Sequence, residues 1–121
     1  GAVNFQEVIY NKQRVNEVTF YGAFDGESLI GVIATKNEGK HISLFFIKPS
    51  YHRRGIGKQL FKTAILNQPV SEMTVNSSSY AIPIYRKLGF EPVCEEQVTH
   101  GMKYTPMKRM GTKVRELEKV C

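Results

Sequence analysis

The stretch Phe45-Phe46-Ile47-Lys48-Pro49-Ser50-Tyr51-His52-Arg53-Arg54-Gly55-Ile56-Gly57-Lys58 constrains this chain more than any other part of it. It reads as a strand, His41 to Ile47, that passes through a basic, glycine-bearing turn and opens an amphipathic helix. Ile42, Leu44 and Phe46 alternate on one face of the strand and Phe45 and Ile47 on the other, so burial on both faces and a central place in a sheet are expected. Gly55 and Gly57 remove two side chains where the helix begins, which lets a ligand approach the backbone and lets several N–H groups converge. A helix N-terminus with free N–H groups is a ready anion site, and Arg53, Arg54 and Lys58 crowd this one with positive charge. The chemistry that suits it is a phosphate or pyrophosphate held against the backbone. Gly-x-Gly is common, so an ordinary strand–turn–helix corner with solvated arginines stands beside that reading.

With 121 residues, 41% of them hydrophobic, the chain reads as one globular domain over 1–121 with a sizeable core. A net charge of +6 favours an anionic partner: nucleic acid, an acidic surface or a polyphosphorylated cofactor. The basic residues are spread and no base-stacking motif accompanies them, which argues against nucleic acid. No apolar run approaches a membrane span and no signal-peptide pattern opens the chain, so no membrane partner is expected. Cys94 and Cys121 have neither metal-ligand spacing nor a disulfide framework, and a cytoplasmic protein without a metal is the expectation.

Along the chain, residues 3–15 are expected to form a short helix with Phe5, Val8 and Ile9 on one side. Val18 to Phe24, Leu29 to Thr35 and the strand ending at Ile47 are predicted as an antiparallel meander turned at Asp25-Gly26 and at Asn37-Glu38-Gly39-Lys40. A helix from about Gly55 to Asn67 should bury Ile56, Leu60, Ala64, Phe61 and Ile65, and Gln68-Pro69 should stop it. Glu72 to Asn76 is the next strand; it must run parallel to the one before the helix, which makes a right-handed βαβ unit. Polar Asn76-Ser77-Ser78-Ser79 leads into a helix over Tyr80 to Leu88, with Pro83 in its first turn and Gly89 as its C-terminal cap. Phe90 to Val98 and Met102 to Met107 read as a hairpin turned at His100-Gly101. Residues 111–121 read as a frayed tail with Val114, Leu117 and Val120 at helical spacing. The fold class is therefore α/β with a mixed, mostly antiparallel sheet.

Two blocks in this arrangement resemble the GNAT superfamily of acetyl-CoA-dependent N-acetyltransferases. His52-Arg53-Arg54-Gly55-Ile56-Gly57 is similar to the family's pyrophosphate loop, Arg/Gln-x-x-Gly-x-Gly/Ala, with His52 where the family usually has Gln or Arg. Tyr80-Ala81-Ile82-Pro83-Ile84-Tyr85-Arg86-Lys87-Leu88-Gly89-Phe90 is similar to the family's helix ending in Tyr-x-x-Leu-Gly-Phe. Family members usually carry a first strand and two helices ahead of the meander. Here one helix is expected to fit there, so the domain is expected to lack that first strand, and an uncovered edge favours a homodimer.

The resemblance implies direct acetyl transfer from acetyl-CoA to a primary amine on a small molecule or protein. It implies that the backbone of Phe45, Phe46 and Ile47 pairs with the pantetheine arm. Gly55, Ile56, Gly57 and their neighbours would give N–H groups to the pyrophosphate, and Arg53, Arg54 and Lys58 would add charge. Ser78, with Asn76 close by, matches a cofactor-contacting position; helix capping is the competing reading of both. Tyr85 stands at the family's position for the acid that protonates the departing thiolate, although Ala81, Ile84, Tyr85 and Leu88 also form one apolar helical face. No general base announces itself: Glu72 and a water relay stay open, and Met73 stands where some relatives place a glutamate. The alternative is an acyl-CoA-binding module or inactive remnant without an amine pocket.

Overall fold

A computed structural model describes residues 8–111, which fall into two compact units divided between Pro69 and Val70. Residues 112–121 of the expected tail at 111–121 and residues 3–7 of the expected helix at 3–15 lie outside the described residues.

In the first unit, β1 (Val8–Val15), β2 (Val18–Asp25), β3 (Ser28–Lys36) and β4 (His41–Ile47) pair antiparallel in that order. The strand β1 corrects the expected helix, and with it the expectation that no strand precedes the meander. Local spacing of Val8 and Ile9 fits a helix, but pairing with β2 along the whole segment wins. Asn16 and Glu17 both take left-handed φ, 48° and 67°, the geometry of a two-residue hairpin turn. That turn joins β1 directly to β2, with no helix between them.

Helix α1 (Ile56–Asn67) packs on one face of this sheet and buries Ile56, Leu60, Phe61 and Ala64. Tyr21, Ala23 and Ile33 are also fully buried. Each large apolar side chain so buried contributes about 1.5–3 kcal/mol relative to exposure. A β-carbon on Gly31 would stand 2.6 Å from Ile47 Cδ1 and 3.2 Å from Leu60 Cδ1, so the bare backbone lets α1 and β4 close over β3.

The expectation that both faces of β4 are buried is corrected. Leu44 and Phe46 are 46% and 52% exposed, whereas Ile42 is 3% exposed. Ala34 pairs with Leu44 and Thr35 with Ile42, which makes Ser43 an extra residue in β4. The bulge breaks the alternation and moves Ile42 off the face of Leu44 and Phe46.

The far end of α1 is tied to the sheet by a polar contact. The hydroxyls of Tyr21 and Thr35, 0% and 1% exposed, both donate to Gln68 Oε1 at 3.3 Å.

The second unit holds β5 (Glu72–Ser77), α2 (Ile82–Lys87), β6 (Glu91–Pro92), β7 (Gln97–Thr99) and β8 (Met102–Met110). β8 pairs antiparallel with β5, β6 and β7. The β7–β8 turn falls on His100 and Gly101, as expected, with φ of 52° and 77°. Met73, Val75 and Ser77 alternate inward from β5, beside Met107, Phe90 and Tyr85 in the buried set. Helix α2 is shorter than expected, with Pro83 in its first turn. Among the described residues no helix is long and apolar enough to cross a membrane, and no three His, Cys, Asp or Glu residues cluster as metal ligands.

Replacing Gln68 by Met removes the acceptor of two buried hydroxyls while keeping side-chain volume. Leaving buried donors unmatched costs about 1–3 kcal/mol. Urea unfolding of Gln68→Met should show a loss in that range; an unchanged midpoint would mean that water reaches Tyr21 and Thr35.

Candidate functional site

The chain leaves the sheet as soon as β4 ends. Lys48 N–H donates to Ile30 O at 2.8 Å, and Pro49–Tyr51 then form a single 3-10 turn closed by Tyr51 N–H to Lys48 O at 2.8 Å. Arg53 follows with φ 63° and Gly55 with φ 79°, and Gly55 is the N-cap residue of α1. Left-handed backbone strains an L-residue, and glycine at the second of these positions meets no Cβ penalty.

Side chains fasten this loop on two sides. His52 Nε2 lies 2.8 Å from Ile47 O and donates its proton there, which ties the loop to the end of β4. Tyr51 O–H donates to Asp25 Oδ2 at 2.8 Å, which ties it to the end of β2. The carboxylate acceptor raises the Tyr51 phenol above its ordinary pKa. The guanidinium of Arg54 lies 5.6 Å from the centre of the Tyr51 ring.

The first turn of α1 is open. Its first backbone bond from beyond the cap runs from Gln59 N–H to Gly55 O at 3.0 Å, so the N–H groups of Ile56, Gly57 and Lys58 have no acceptor within the helix. The turn carries no acidic residue, and no side chain caps it among the described residues. The dipole of the helix adds partial positive charge at this point. A β-carbon on Gly57 would lie 3.6 Å from both Ile47 Cγ1 and Phe45 Cζ, an ordinary contact. Glycine here is therefore not demanded by packing; it leaves the backbone open above Phe45 and Ile47.

Phe45, Ile47, Arg53, Arg54, Gly55, Ile56, Gly57 and Lys58 thus meet at the β4–α1 corner. Arg53 and Lys58 are exposed, Arg54 half-buried, and Ile56 turns its side chain into the core. Phe46 is the member whose side chain does not join them, because it lies on the opposite face of β4 from Phe45. The Ile47 carbonyl, expected to pair with a ligand, accepts from His52 here.

The second unit gathers the other candidates around the β5–α2 corner. Asn76 is exposed on β5, opposite Pro106. Ser78 Oγ accepts the Ala81 N–H at 3.2 Å, the capping geometry weighed above, and keeps its own O–H to donate. Tyr85 is 7% exposed, and its ring meets Phe90 edge-on at 5.5 Å and 73°.

Its position follows from the end of α2. Phe90 N–H returns to Tyr85 O and Gly89 N–H to Arg86 O, both at 3.0 Å, with Gly89 at φ 98°. This is a Schellman motif with its usual apolar contact, here Tyr85 on Phe90. Arg109 Nε donates to Leu88 O at 2.8 Å and seals the same end. The apolar face of α2 differs from the expected one, because Ile84 is 48% exposed. Burial pushes the Tyr85 phenol up to about 12.

Other candidates have plainer surroundings. Glu72 is half-exposed and lies 3.5 Å from Lys108 Nζ, a surface ion pair, and Met73 is fully buried. His41 is held below its ordinary pKa by burial and by Lys36. The sequence pointed to no functional role for Asp25, Tyr51 or Arg109; their partners lie 26 and 21 residues away and no local pattern announces them.

A family model described as an acetyltransferase (GNAT) domain matches residues 2–110. Over 58 residues the chain is 36% identical to the uncharacterized N-acetyltransferase YafP of Escherichia coli strain K12, a match covering 48% of this chain and 37% of YafP. The chain thus spans little more than a third of that curated relative. Among solved structures, a GNAT family acetyltransferase from Elizabethkingia anophelis with acetyl-CoA bound superposes with a TM-score of 0.64 at 16% identity, over 86% of this chain and 98% of that one. A GCN5-related N-acetyltransferase from Rhodopseudomonas palustris superposes with a TM-score of 0.65 at 19% identity, over 77% of this chain and 61% of that one. These likenesses show the fold, α/β with a mixed and mostly antiparallel sheet. With the family model matching nearly the whole chain, this protein belongs to the GNAT family of acetyltransferases.

Proposed function

We propose that this chain is an N-acetyltransferase that moves an acetyl group from acetyl-CoA to a primary amine by direct transfer in a ternary complex. The observation that carries this reading is the start of α1: three N–H groups without helical acceptors, no acid in the first turn, Arg53 and Arg54 just before the cap, Lys58 just after it, and an open glycine. The pyrophosphate of CoA would take the N–H groups of Ile56, Gly57 and Lys58, with Gly55 making the turn and Arg53, Arg54 and Lys58 adding charge. The acetyl-CoA bound to the Elizabethkingia neighbour supports the choice of ligand. The backbone of Phe45, Phe46 and Ile47 would follow the pantetheine arm, and Asn76 and the Ser78 hydroxyl are proposed as further cofactor contacts.

In the transfer the neutral amine nitrogen attacks the acetyl carbon as the carbonyl opens to an oxyanion. The nitrogen of this intermediate loses its proton to water, collapse breaks the C–S bond, and the thiolate takes a proton through Tyr85 O–H, which regains one from water. A phenol raised to about 12 stays protonated throughout the working range. Burial makes it a weaker acid than a thiol of ordinary pKa about 8.5, so Tyr85 acts chiefly as a hydrogen-bond donor to the developing thiolate, and its proton passes over only as the phenolate regains one from water.

The direct β1–β2 turn favours one other reading. With no helix between those strands, the site would bind acyl-CoA without an amine pocket of its own. Thiol release from acetyl-CoA over a panel of amines separates the two readings.

Gly57→Glu should leave the fold intact, since its β-carbon meets ordinary contacts and a carboxylate suits a helix start. The same carboxylate opposes phosphate, and CoA affinity by calorimetry should fall about 100-fold, roughly 2.7 kcal/mol; unchanged affinity would place the pyrophosphate elsewhere.

Tyr85→Phe keeps the ring against Phe90 and removes the hydroxyl. Where chemistry limits the rate, kcat should drop about 10²–10⁴-fold with CoA affinity unchanged, and equal kcat would leave Tyr85 as packing. In the unaltered protein kcat/KM should rise with pH as the amine deprotonates and hold level beyond about pH 10. A descending limb there would contradict a raised Tyr85 pKa.

A further inference from the structure

We propose that Asp25 is a positioning residue for the cofactor loop, acting through Tyr51 on Arg54; this rests on the reading that the loop holds the pyrophosphate of CoA. Asp25 ends β2 and Tyr51 ends the 3-10 turn, and their hydroxyl–carboxylate bond at 2.8 Å is the side-chain tie between that turn and the β2 end of the sheet. The bond does two things. It fixes the direction of the Tyr51 side chain, because a charge-assisted O–H···O bond is strong and directional. It also draws the phenolic proton toward the carboxylate, which leaves more electron density on the ring.

Arg54 lies over that ring, 5.6 Å from its centre, within reach of a cation–π contact. Arg54 is also the residue immediately before Gly55, the N-cap of α1. A cation held beside an anion site before the anion arrives loses less side-chain freedom on binding, so affinity rises without a new contact to the ligand. His52 supports the other flank of the loop through Ile47 O. Asp25 itself stays outside the binding machinery: a carboxylate near a pyrophosphate would repel it, and here its charge is engaged by the Tyr51 hydroxyl.

The test is calorimetric CoA binding together with steady-state kinetics on the full chain and on variants shown by urea unfolding to be folded. Tyr51→Phe and Asp25→Ala should each weaken CoA about three- to tenfold, with kcat at saturating acetyl-CoA unchanged. Their double variant should be no weaker than either single, because both remove one bond. Asp25→Asn keeps an acceptor oxygen and should retain most of the affinity. In an Arg54→Met background, Tyr51→Phe should change the CoA affinity no further. Unaltered CoA affinity in Tyr51→Phe, or the same loss in the Arg54→Met background, would overturn the proposal and leave the Asp25–Tyr51 bond as an ordinary brace. Failure of the unaltered protein to bind CoA would overturn the acetyltransferase reading and this inference with it.

Discussion

Helix α1 is fastened at both ends, and the anion site proposed at its start depends on that. At its far end Gln68 accepts from two fully buried hydroxyls, Tyr21 and Thr35, so the axis is set against β2 and β3. At its near end the chain turns through left-handed backbone at Gly55, and the first three N–H groups have no acceptor within the helix. Exposed backbone donors are easily lost to a capping Ser or Asp in other helices. Here the sequence before α1 is Arg53-Arg54-Gly55, which has no capping oxygen and supplies positive charge instead. The proposed site thus rests on a helix left uncapped, with the stability recovered through packing of Ile56, Leu60, Phe61 and Ala64.

The second unit handles its candidate side chain differently. Tyr85 belongs to a helix of six residues, too short to hold itself in water. Its end is fixed by Gly89 at φ 98°, by two Schellman bonds, by Phe90 against the ring and by Arg109 on the Leu88 carbonyl. The phenol is therefore held by backbone geometry as much as by side-chain contacts. The burial that holds it also raises its pKa, so orientation and protonation state have a common origin.

The strands of the meander, both helices and the β7–β8 turn were legible in the sequence because their signals are local: β-branched alternation, Pro83 near a helix start, Gly after a helix end. The glycine-bearing loop was legible for the same reason. What escaped depends on long-range pairing. Val8 and Ile9 carry a spacing that fits a helix, and only the partner β2 decides for a strand. The exposure of Leu44 and Phe46 follows from one extra residue, Ser43, whose bulge is set by register with β3. Tyr51 and Asp25 are individually unremarkable types in a turn and at a strand end. Their bond exists because the sheet places the end of β2 beside the exit from β4. The burial of Tyr85 was anticipated as the competing core reading, and it proves compatible with a chemical role.

The central claim is that an uncapped helix start binds the pyrophosphate of CoA through backbone N–H groups. An amide-resolved NMR titration of the uniformly ¹⁵N-labelled chain with CoA reads those groups directly. With the pyrophosphate bound there, the amides of Ile56, Gly57 and Lys58 should shift together, saturate with one dissociation constant, and gain protection from hydrogen exchange. If CoA binds while those three amides keep their shifts and exchange rates, the pyrophosphate lies elsewhere and the account is wrong.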